Sequence, residues 1–506
     1  MGGDESGHTS NTMAASRDQV DGAWKYLNDH RDVPGVAEVN LGKLRGKIDW
    51  RIVPLMFCCY TTQFLDKVIY NYAAAMGIIP DLELTGNRFS NVATFLYVGL
   101  LCFEVPNVYL LQRVPAAKWL GINVTLWGIA TACGAAAHNY QTILASRIFL
   151  GIFEATIGPS LSLISSQWYT KSEQAPRFSF WYLGLGFGQI IGGAISYAFQ
   201  HATSNGGIAG WRVMFIVLGA ITVLIGLCVI LFIPDTPMQA KWLSNTEKVA
   251  LLKHVSVNQT GVQNTKFRAK EIIEGILDPQ IWLMVLSVSL MTVASGVITT
   301  YSVRLISTIT HDASKTPIQN SQYAALMNMP SGAVSIFFIL LVGFGIRKQS
   351  NRWLWILICI IPSIIGGALM SFVPQTNKSG LLAGIYLVNA VVAPLPIQYS
   401  WIVANVAGAT KRAFAVTMIS ISFSIGNVIG PQTFQAKDAP DYYPAKLALV
   451  CTQAASALTT IALFLYYYWA NKKRASKGKE AEEEFMEPSV WARMTDKENL
   501  TFRYVY

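Results

Sequence analysis

The sequence predicts an all-α integral membrane protein, and three observations support this fold class. Of the 506 residues, 52% are apolar and only 13% are charged, which is about half the charged fraction of an average soluble domain. The mean hydropathy is +0.37. Twelve apolar runs reach the length that a helix needs to cross the hydrocarbon. Because a helix satisfies its own backbone hydrogen bonds in lipid, each run is predicted to be a transmembrane helix.

The twelve spans divide into two sets of six, because the polar segment 234–279 separates the sixth span from the seventh. In chain order the spans cover residues 52–76, 90–112, 117–137, 140–166, 177–200, 212–233, 280–305, 322–346, 353–373, 380–404, 413–435 and 446–470. The expected domains are an N-terminal segment (1–51), a six-helix bundle (52–233), a central loop (234–279), a second six-helix bundle (280–470) and a C-terminal tail (471–506).

The placement of the basic residues predicts the topology. Of the 39 Lys and Arg residues, 30 fall in segments on the same side as the N-terminus, whereas seven fall on the other side. Cytosolic loops carry the excess of basic residues in membrane proteins, so both termini are expected in the cytosol. The net charge of +10 therefore reflects orientation in the membrane and does not indicate a nucleic-acid partner.

Several function classes are excluded by their missing sequence signals. Residues 1–40 are polar and lack the apolar core of a signal peptide. The seven cysteines lie within apolar runs without CxxC spacing, and the six histidines avoid the span centres. We therefore expect no disulfide framework, no metal and no cofactor. Without a GxxxxGK(S/T) loop the chain is not expected to use ATP, and no arrangement of residues indicates an enzyme.

The two halves carry a faint internal repeat at an offset of 234 residues, which is typical of transporters built from two related bundles. Basic residues near corresponding span ends match in three pairs: Arg113 with Arg347, Lys118 with Arg352, and Arg177 with Lys411. Basic and aromatic residues are also common at membrane interfaces, so chance similarity is the alternative explanation.

Six stretches carry a family resemblance. They are FLDKVIYNYA (64–73), FEVPN (103–107), RIFLGIFEATIGP (147–159), GWRVMF (210–215), PDTPMQAKWLSNTE (234–247) and SIGNVIGPQTFQAKDAPDYYP (424–444). Together they resemble the major facilitator superfamily, in particular the fungal allantoate permease-like group of its anion:cation symporter branch. The resemblance covers about residues 45–470. It implies the two-bundle major facilitator fold and the transport of a carboxylated small molecule, such as a ureide, nicotinate or pantothenate.

Two departures from the family pattern bear on mechanism. The loop after the second span keeps Arg113 but lacks the Asp of the family signature, so a gating salt bridge cannot be assumed there. The fifth span keeps the antiporter-type glycines Gly184, Gly188 and Gly192 but has Gln189 in place of the signature proline. The missing proline favours symport, while close helix packing alone also explains the glycines.

Five ionisable residues lie within the predicted spans: Asp66, Lys67, Glu104, Arg147 and Glu154. Each costs about 2.5–3.5 kcal/mol near the bilayer centre when it faces lipid unpaired, so all five must face the bundle interior, a cavity or one another. Arg147 and Glu154 are seven residues apart and share one helix face. We hypothesise that a carboxylate substrate binds Lys67 and Arg147, and that Glu154, with Asp66 as a second candidate, carries the coupling proton.

Structural roles are the alternative for these residues. Arg147 can donate to backbone carbonyls of a neighbouring helix, and Glu154 can belong to a fixed ion pair. Asp66 can tie its helix to a neighbour, because it points about 100° away from Lys67. Glu104, close to Pro106, is predicted to have a structural or gating role in a kinked helix.

The second half offers amides and aromatic rings instead of central charges. Asn389, Trp401 and Asn405, with Asn71 of the first span, are therefore the predicted substrate-binding residues beside Lys67 and Arg147. Structural or gating roles are also predicted for Arg113, the three fifth-span glycines and Arg304, which is an outer-gate residue or an interfacial anchor. Asn377 begins the one N-x-S/T sequon on the outer side, and it is a candidate for glycosylation.

The sequence therefore predicts a secondary transporter of a small organic anion that works by alternating access with proton symport. Its expected partners are the substrate, protons and the lipid bilayer, and we expect a monomer. We expect the plasma membrane, with the vacuole or another endomembrane as the alternative location. The alternative functions are an exporter of a small metabolite on the same fold and a nutrient sensor that does not transport.

Overall fold

A computed structural model of the chain describes residues 26–27, 29–30, 33–111, 114–202, 207–256, 268–439, 441–477, 495–499 and 502–506. These residues contain helices and connecting turns and no β-strand, so the all-α fold class is confirmed. Among them, 11 helical segments are long and apolar enough to cross a membrane. The helix in the place of the third predicted span, Ala116–Gly134, lies outside that set.

The first half contains eight helices of eight or more residues. They are α1 (Leu41–Ala75), α2 (Arg88–Leu111), α3 (Ala116–Gly134), α4 (Tyr140–Glu154), α5 (Ile157–Trp168), α6 (Lys171–Tyr182), α7 (Gly184–Ala202) and α8 (Gly210–Phe232). Helices α4 and α5 together form the fourth span, and α6 and α7 form the fifth. The Asn139 side chain accepts a hydrogen bond from the Thr142 N–H and so caps the start of α4.

The rest of the described chain adds nine helices. They are α9 (Asn245–Ser256), α10 (Ala269–Ile276), α11 (Pro279–Thr310), α12 (Pro317–Lys348), α13 (Arg352–Phe372), α14 (Lys378–Val388), α15 (Leu395–Asn405), α16 (Ala409–Gln432) and α17 (Tyr443–Lys477). The tenth span is broken into α14 and α15 by a 3₁₀ turn at Asn389–Val392. Pro394 and Pro396 follow this turn, and proline cannot supply the backbone N–H that a continuous helix needs.

The spans alternate in direction, so the molecule has two faces. The tail face holds the start of α1, the central helices α9 and α10, and residues 495–499 and 502–506. The opposite face holds the end of α1 and the start of α2.

The two halves are joined at the opposite face by hydrogen bonds. The Asn71 amide donates to Ser302 Oγ at 2.8 Å, and the hydroxyls of Ser90 and Tyr301 lie 2.5 Å apart. Phe434 stacks on Tyr301 with ring centroids 4.3 Å apart. Further along the interface, α7 and α12 approach closely at Gly186 and Gly332, where any Cβ would overlap the facing backbone.

At the tail face, the ion pairs of the described residues stay within one half and its adjoining central helix. Arg177 and Lys411, which match in the internal repeat, make corresponding pairs. Arg177 in the middle of α6 pairs with Asp49 of α1 at 2.5 Å. Lys411 at the start of α16 pairs with Asp278 at the start of α11 at 2.7 Å. Each pair ties the fifth span of its half to the first.

The central helix α9 is held to the first half by a second group of charges. His254 Nε2 and Arg45 Nη2 lie 3.0 and 2.9 Å from the same oxygen of Glu173. Burial alone would raise the pKa of Glu173, but the hydrogen bonds with His254 and the Thr170 N–H lower it overall. Glu173 therefore remains ionised at neutral pH and holds both basic partners.

The packing of α2 on α4 depends on Gly151, because a Cβ at this position would overlap the carbonyl oxygen of Leu96. We expect Gly151→Ala to destabilise the protein by about 1–3 kcal/mol, as overpacking does in tight interiors. Gly158→Ala in α5 is the matched control, since no atom lies within 4 Å of a Cβ there. Thermal unfolding of the purified variants checks this, and equal midpoints for both variants would contradict it.

Candidate substrate and proton site

A cavity lies between the two halves and is lined by both of them. The helices α1, α2, α6 and α7 contribute from the first half, and α11, the 3₁₀ turn, α15 and α16 contribute from the second. The lining residues are Tyr60, Gln63, Phe64, Lys67, Tyr97, Tyr182, Leu185, Met291, Thr292, Ser295, Thr299, Val391, Val392, Leu395 and Phe423. The wall is therefore mostly apolar and aromatic, with one cation, which is a common composition for small-molecule sites.

Lys67 is that cation, and it forms an ion pair with Glu154. Its Nζ lies 2.6 Å from Glu154 Oε1, and the Glu154 side chain is fully buried. Lys67 also lies 5.9 Å from the ring centre of Tyr97 and 5.7 Å from that of Phe423. Neither oxygen of Glu154 has a hydrogen bond of good geometry among the described residues, so both can accept a further donor or a proton.

Asp66 and Arg147 lie beside this pair and are joined through the backbone of Asp66. Arg147 Nη1 donates to the backbone oxygen of Asp66 at 2.9 Å, and the indole of Trp127 donates to Asp66 Oδ2 at 2.5 Å. This arrangement fits the structural alternatives for both residues, since Asp66 is tied to α3 and Arg147 binds a carbonyl of α1. Trp127, whose ring is fully buried, is a partner that the sequence alone did not indicate.

Arg147 nevertheless keeps part of its guanidinium available. Its Nε and Nη2 atoms are buried and have no hydrogen-bond partner among the described residues. These two atoms form one edge of the planar group, which is the edge that binds a carboxylate in bidentate fashion. A second, smaller cavity adjoins this region, and it is bordered by both Lys67 and Arg147 together with Tyr70, Tyr97, Thr299 and Thr300.

The four ionisable groups Asp66, Lys67, Arg147 and Glu154 form a neutral set when all are ionised. Asp66, Arg147 and Glu154 are buried, and the Lys67 side chain is only 10% exposed. All four lie within the first and fourth spans, where an unpaired charge is expensive. The structure thus brings together the four charged residues on which the predicted site depends. Their roles in binding and proton transfer remain predictions.

The amides predicted as substrate ligands lie elsewhere. Asn71 is fully buried between the halves near the opposite face and bonds to Ser302. Asn389 lies in the 3₁₀ turn, where its amide donates to the Ile385 carbonyl at 2.8 Å. Neither residue belongs to the cavity lining, although Val391 and Val392 of the same turn do.

Trp401 and Asn405 lie at the far end of α15 and do not face the cavity. The Trp401 indole and the Asn405 amide donate to the carbonyl of Val505 at 2.8 and 2.9 Å. The expectation that they bind substrate is therefore not supported by the geometry. Polar groups in an apolar span need partners, and here residues about 100 positions away supply them.

The predicted structural and gating residues occupy varied positions. Glu104 is buried on α2 and faces the hydroxyl of Ser420 on α16, so it lies between the halves. Arg304 lies over the ring of Tyr442 at 5.7 Å, near the opposite face. Arg113 falls outside the described residues, and Asn377 caps the start of α14 by accepting from the Gly380 N–H.

The fifth-span glycines are in close contact with α1. A Cβ at Gly184 or Gly188 would press on Thr61, and one at Gly192 would press on Tyr72. The packing explanation for these glycines therefore has direct support, whereas their bearing on symport or antiport stays a prediction.

Several cavity residues were missed by sequence reasoning, although two signals were present. Gln63 lies one helical turn before Lys67 and so shares its face. Thr292, Ser295 and Thr299 recur at helical spacing along α11 and form a hydroxyl stripe in an otherwise apolar span. Within the described residues, no group of three or more His, Cys, Asp or Glu side chains could hold a metal ion.

The family model of the Major Facilitator Superfamily matches residues 56–431. The chain belongs to this superfamily. It is 35% identical over 466 residues to the thiamine pathway transporter THI73 of Saccharomyces cerevisiae, covering 92% of this chain and 86% of that protein. It is 31% identical over 502 residues to the allantoate permease of the same yeast, covering 96% and 90%. The resemblance drawn from the sequence motifs is thus confirmed.

Solved structures of superfamily members share the fold. A D-xylose–proton symporter matches with a TM-score of 0.61 at 15% identity, covering 81% of this chain and 97% of that one. A bacterial homologue of the lysosomal transporter Spinster matches with a TM-score of 0.58 at 17% identity, covering 82% and 95%. Because the superfamily and the relatives named here are transporters, this superfamily member is a multi-pass membrane transporter and not an enzyme.

From the Lys67–Glu154 ion pair we predict that substitutions at these two residues have strongly non-additive effects on the stability of this superfamily member. Lys67→Met leaves the Glu154 charge buried without its partner, and we expect a loss of about 3–5 kcal/mol. The double variant Lys67→Met/Glu154→Gln removes both charges and should recover much of that loss. Thermal unfolding of the purified proteins measures the effect.

The control for this pair is Lys118→Met, because the Lys118 side chain is 58% exposed in its pair with Asp235. Exposed ion pairs contribute about 0–1 kcal/mol, so only a small shift is expected there. A double variant as unstable as the single Lys67 variant would show that the two groups are not coupled.

Proposed function

We propose that the protein imports a small organic anion together with a proton. The observation that carries this proposal is the Lys67–Glu154 ion pair at the cavity wall, next to an Arg147 edge without a partner. Two cations beside one cavity suit a carboxylate, and a carboxylate without a good hydrogen bond suits a proton.

The first step of the proposed mechanism is competition for Lys67. The substrate carboxylate enters the cavity and binds Lys67 Nζ and the Nε/Nη2 edge of Arg147. Lys67 can pair closely with only one of the two carboxylates, so the substrate weakens its contact with Glu154. The apolar and aromatic wall, including Tyr60, Tyr182 and Phe423, then encloses the remainder of the substrate.

The second step follows from charge balance. The four buried groups are neutral together, so a bound anion brings the site to a net charge of −1 in a medium of low dielectric constant. Protonation of Glu154, which has lost its cation, restores neutrality. Substrate binding thereby promotes proton binding, and the reverse holds by thermodynamic linkage.

The third step is the exchange of access between the two faces. In this structure the halves are joined at the opposite face through Asn71, Ser90, Ser302 and Tyr301. Opening that face requires these hydrogen bonds to break, while the tail face closes around the cavity. When the site is neutral and every charge is paired, the protein can pass through an occluded state without the electrostatic cost of enclosing an unbalanced charge.

The orientation, the location and the oligomeric state belong to the proposal. The excess of basic residues on the tail face supports a cytosolic orientation of that face. With that orientation, the structure corresponds to a state closed toward the outside. The plasma membrane and a monomeric state are proposed with it. One relative is named an allantoate permease and another a thiamine pathway transporter; the two cations favour the anionic substrate class for this chain.

Glu154→Gln separates exchange from coupling. The variant mimics the protonated, neutral form of this carboxyl, so reconstituted protein should retain counterflow exchange of substrate but lose accumulation driven by a pH gradient. Glu247→Gln, on the tail-face helix α9, is the control and should keep both activities. Retained pH-driven accumulation in Glu154→Gln would refute the coupling role.

The substrate class is tested by uptake in cells that express the protein. A radiolabelled panel of ureides, nicotinate, pantothenate and thiamine is offered at an acidic and at a neutral external pH. We expect a carboxylate to enter faster at the acidic pH, because the inward proton gradient then drives the cycle. Uptake of thiamine alone would overturn the anion proposal, and reduced cellular content of a metabolite without any uptake would favour an exporter.

A further inference from the structure

Residues 502–506 bind α15, the second helix of the broken tenth span. The Val505 N–H donates to Asn405 Oδ1 at 2.6 Å, and its carbonyl accepts from Asn405 Nδ2 at 2.9 Å and from Trp401 Nε1 at 2.8 Å. Both partner side chains on α15 are almost fully buried. Both backbone polar groups of Val505 are thus satisfied by side chains of one helix.

Further contacts fix the segment to the second half. Asn471 of α17 bonds to the backbone N–H and carbonyl of Tyr504 at 2.9 and 2.8 Å. The Tyr504 ring stacks on Tyr467 with centroids 5.1 Å apart. The N–H of Arg352, at the start of α13, donates to Tyr506 O at 2.8 Å. The segment therefore spans the ends of three helices.

A buried charge cluster anchors the preceding residues. Lys411 has a fully buried side chain, and Asp278 and Asp496 lie 2.7 and 2.6 Å from its Nζ. Arg474 donates to the Asp496 carbonyl, and the Tyr504 hydroxyl donates to Asp496 Oδ2 at 2.9 Å. Asp496 thus belongs to the ion-pair cluster that joins α11 and α16.

Helix α15 connects this contact to the cavity. Leu395, at its start, lines the cavity, and Asn405, at its end, binds Val505. At about 1.5 Å per residue the helix is roughly 16 Å long. The break at residues 389–394 separates α15 from α14, so the covalent chain alone does not hold its orientation.

We propose that residues 502–506 are a positioning element for transport, which holds α15 and thereby sets the cavity wall at Leu395. The occupant of this surface is the chain's own C-terminal segment, and its backbone is recognised by Asn405 and Trp401. Loss of the segment releases the Asn405 end of α15. The helix can then move, and the cavity wall at Leu395 shifts with the helix. Of the two measurements described below, only the transport measurement depends on the proposed function.

The direct test is hydrogen–deuterium exchange of peptides covering residues 395–405, which needs no substrate. The variants are Asn405→Leu and a deletion of residues 503–506 of the full chain. Loss of two or more buried hydrogen bonds should speed exchange in this segment about tenfold. The control is Thr417→Val on α16, whose exposed hydroxyl bonds only to its own helix at Ala413.

A synthetic peptide of residues 495–506, added to the deletion variant, distinguishes positioning from general misfolding. The peptide should restore slow exchange in residues 395–405, whereas a scrambled peptide should not. Exchange in α13 away from its first turn should be unchanged throughout. Unchanged exchange of residues 395–405 in both variants, or equal protection by the scrambled peptide, would overturn the proposal.

Transport supplies the second readout, with rates corrected for the amount of protein in the membrane. A displaced cavity wall should raise KM several-fold in both variants, and the peptide applied at the tail face should reverse this in inside-out vesicles. A purely structural role would lower the amount of protein and leave KM unchanged, so that result also overturns the proposal. If uptake slows while hydrogen–deuterium exchange of residues 395–405 stays unchanged, the cause lies in the transport mechanism and not in this segment, and the proposal is overturned.

Discussion

The neutrality of four buried charges is the constraint on which the rest of this structure depends. Asp66, Lys67, Arg147 and Glu154 lie in the interior of helices that the membrane surrounds, so each must have an opposite charge within reach. This requirement brings side chains of α1 and α4 into contact, as Lys67 with Glu154 and Arg147 with the backbone of Asp66. The same requirement makes the site responsive, because any ion that enters must be balanced by another.

The contacts between the halves are of a kind that permits two arrangements. Hydrogen bonds such as Asn71–Ser302 join polar side chains that water can satisfy when the opposite face opens. Where α7 and α12 cross, the backbones approach closely at Gly186 and Gly332, and the side chains of Ile336 and Ile190 pack over these glycines. The first half carries the charges beside the cavity, while the second contributes hydroxyls and apolar groups such as Thr299 and Val391 to its wall.

The sequence was sufficient for the features that depend on local chemistry. Apolar length predicted the helices. The cost of charge in lipid predicted that Lys67 and Glu154 face inward. The contact between these two residues joins different helices, so no spacing rule could reveal it.

Two of the predicted substrate-binding residues have partners far away in the sequence. Trp401 and Asn405 are residue types that commonly line cavities, yet their side chains bind Val505. The tail sequence contains no periodic pattern from which this contact could be predicted. The internal repeat shows why the contact matters. Arg177 and Lys411 occupy corresponding positions in the two halves. Arg177 pairs with Asp49, whereas Lys411 pairs with Asp278 and also with Asp496. The tail-face ion pair of the second half thus includes Asp496 of the C-terminal segment. The same segment binds α15, the second helix of the broken tenth span, through Val505.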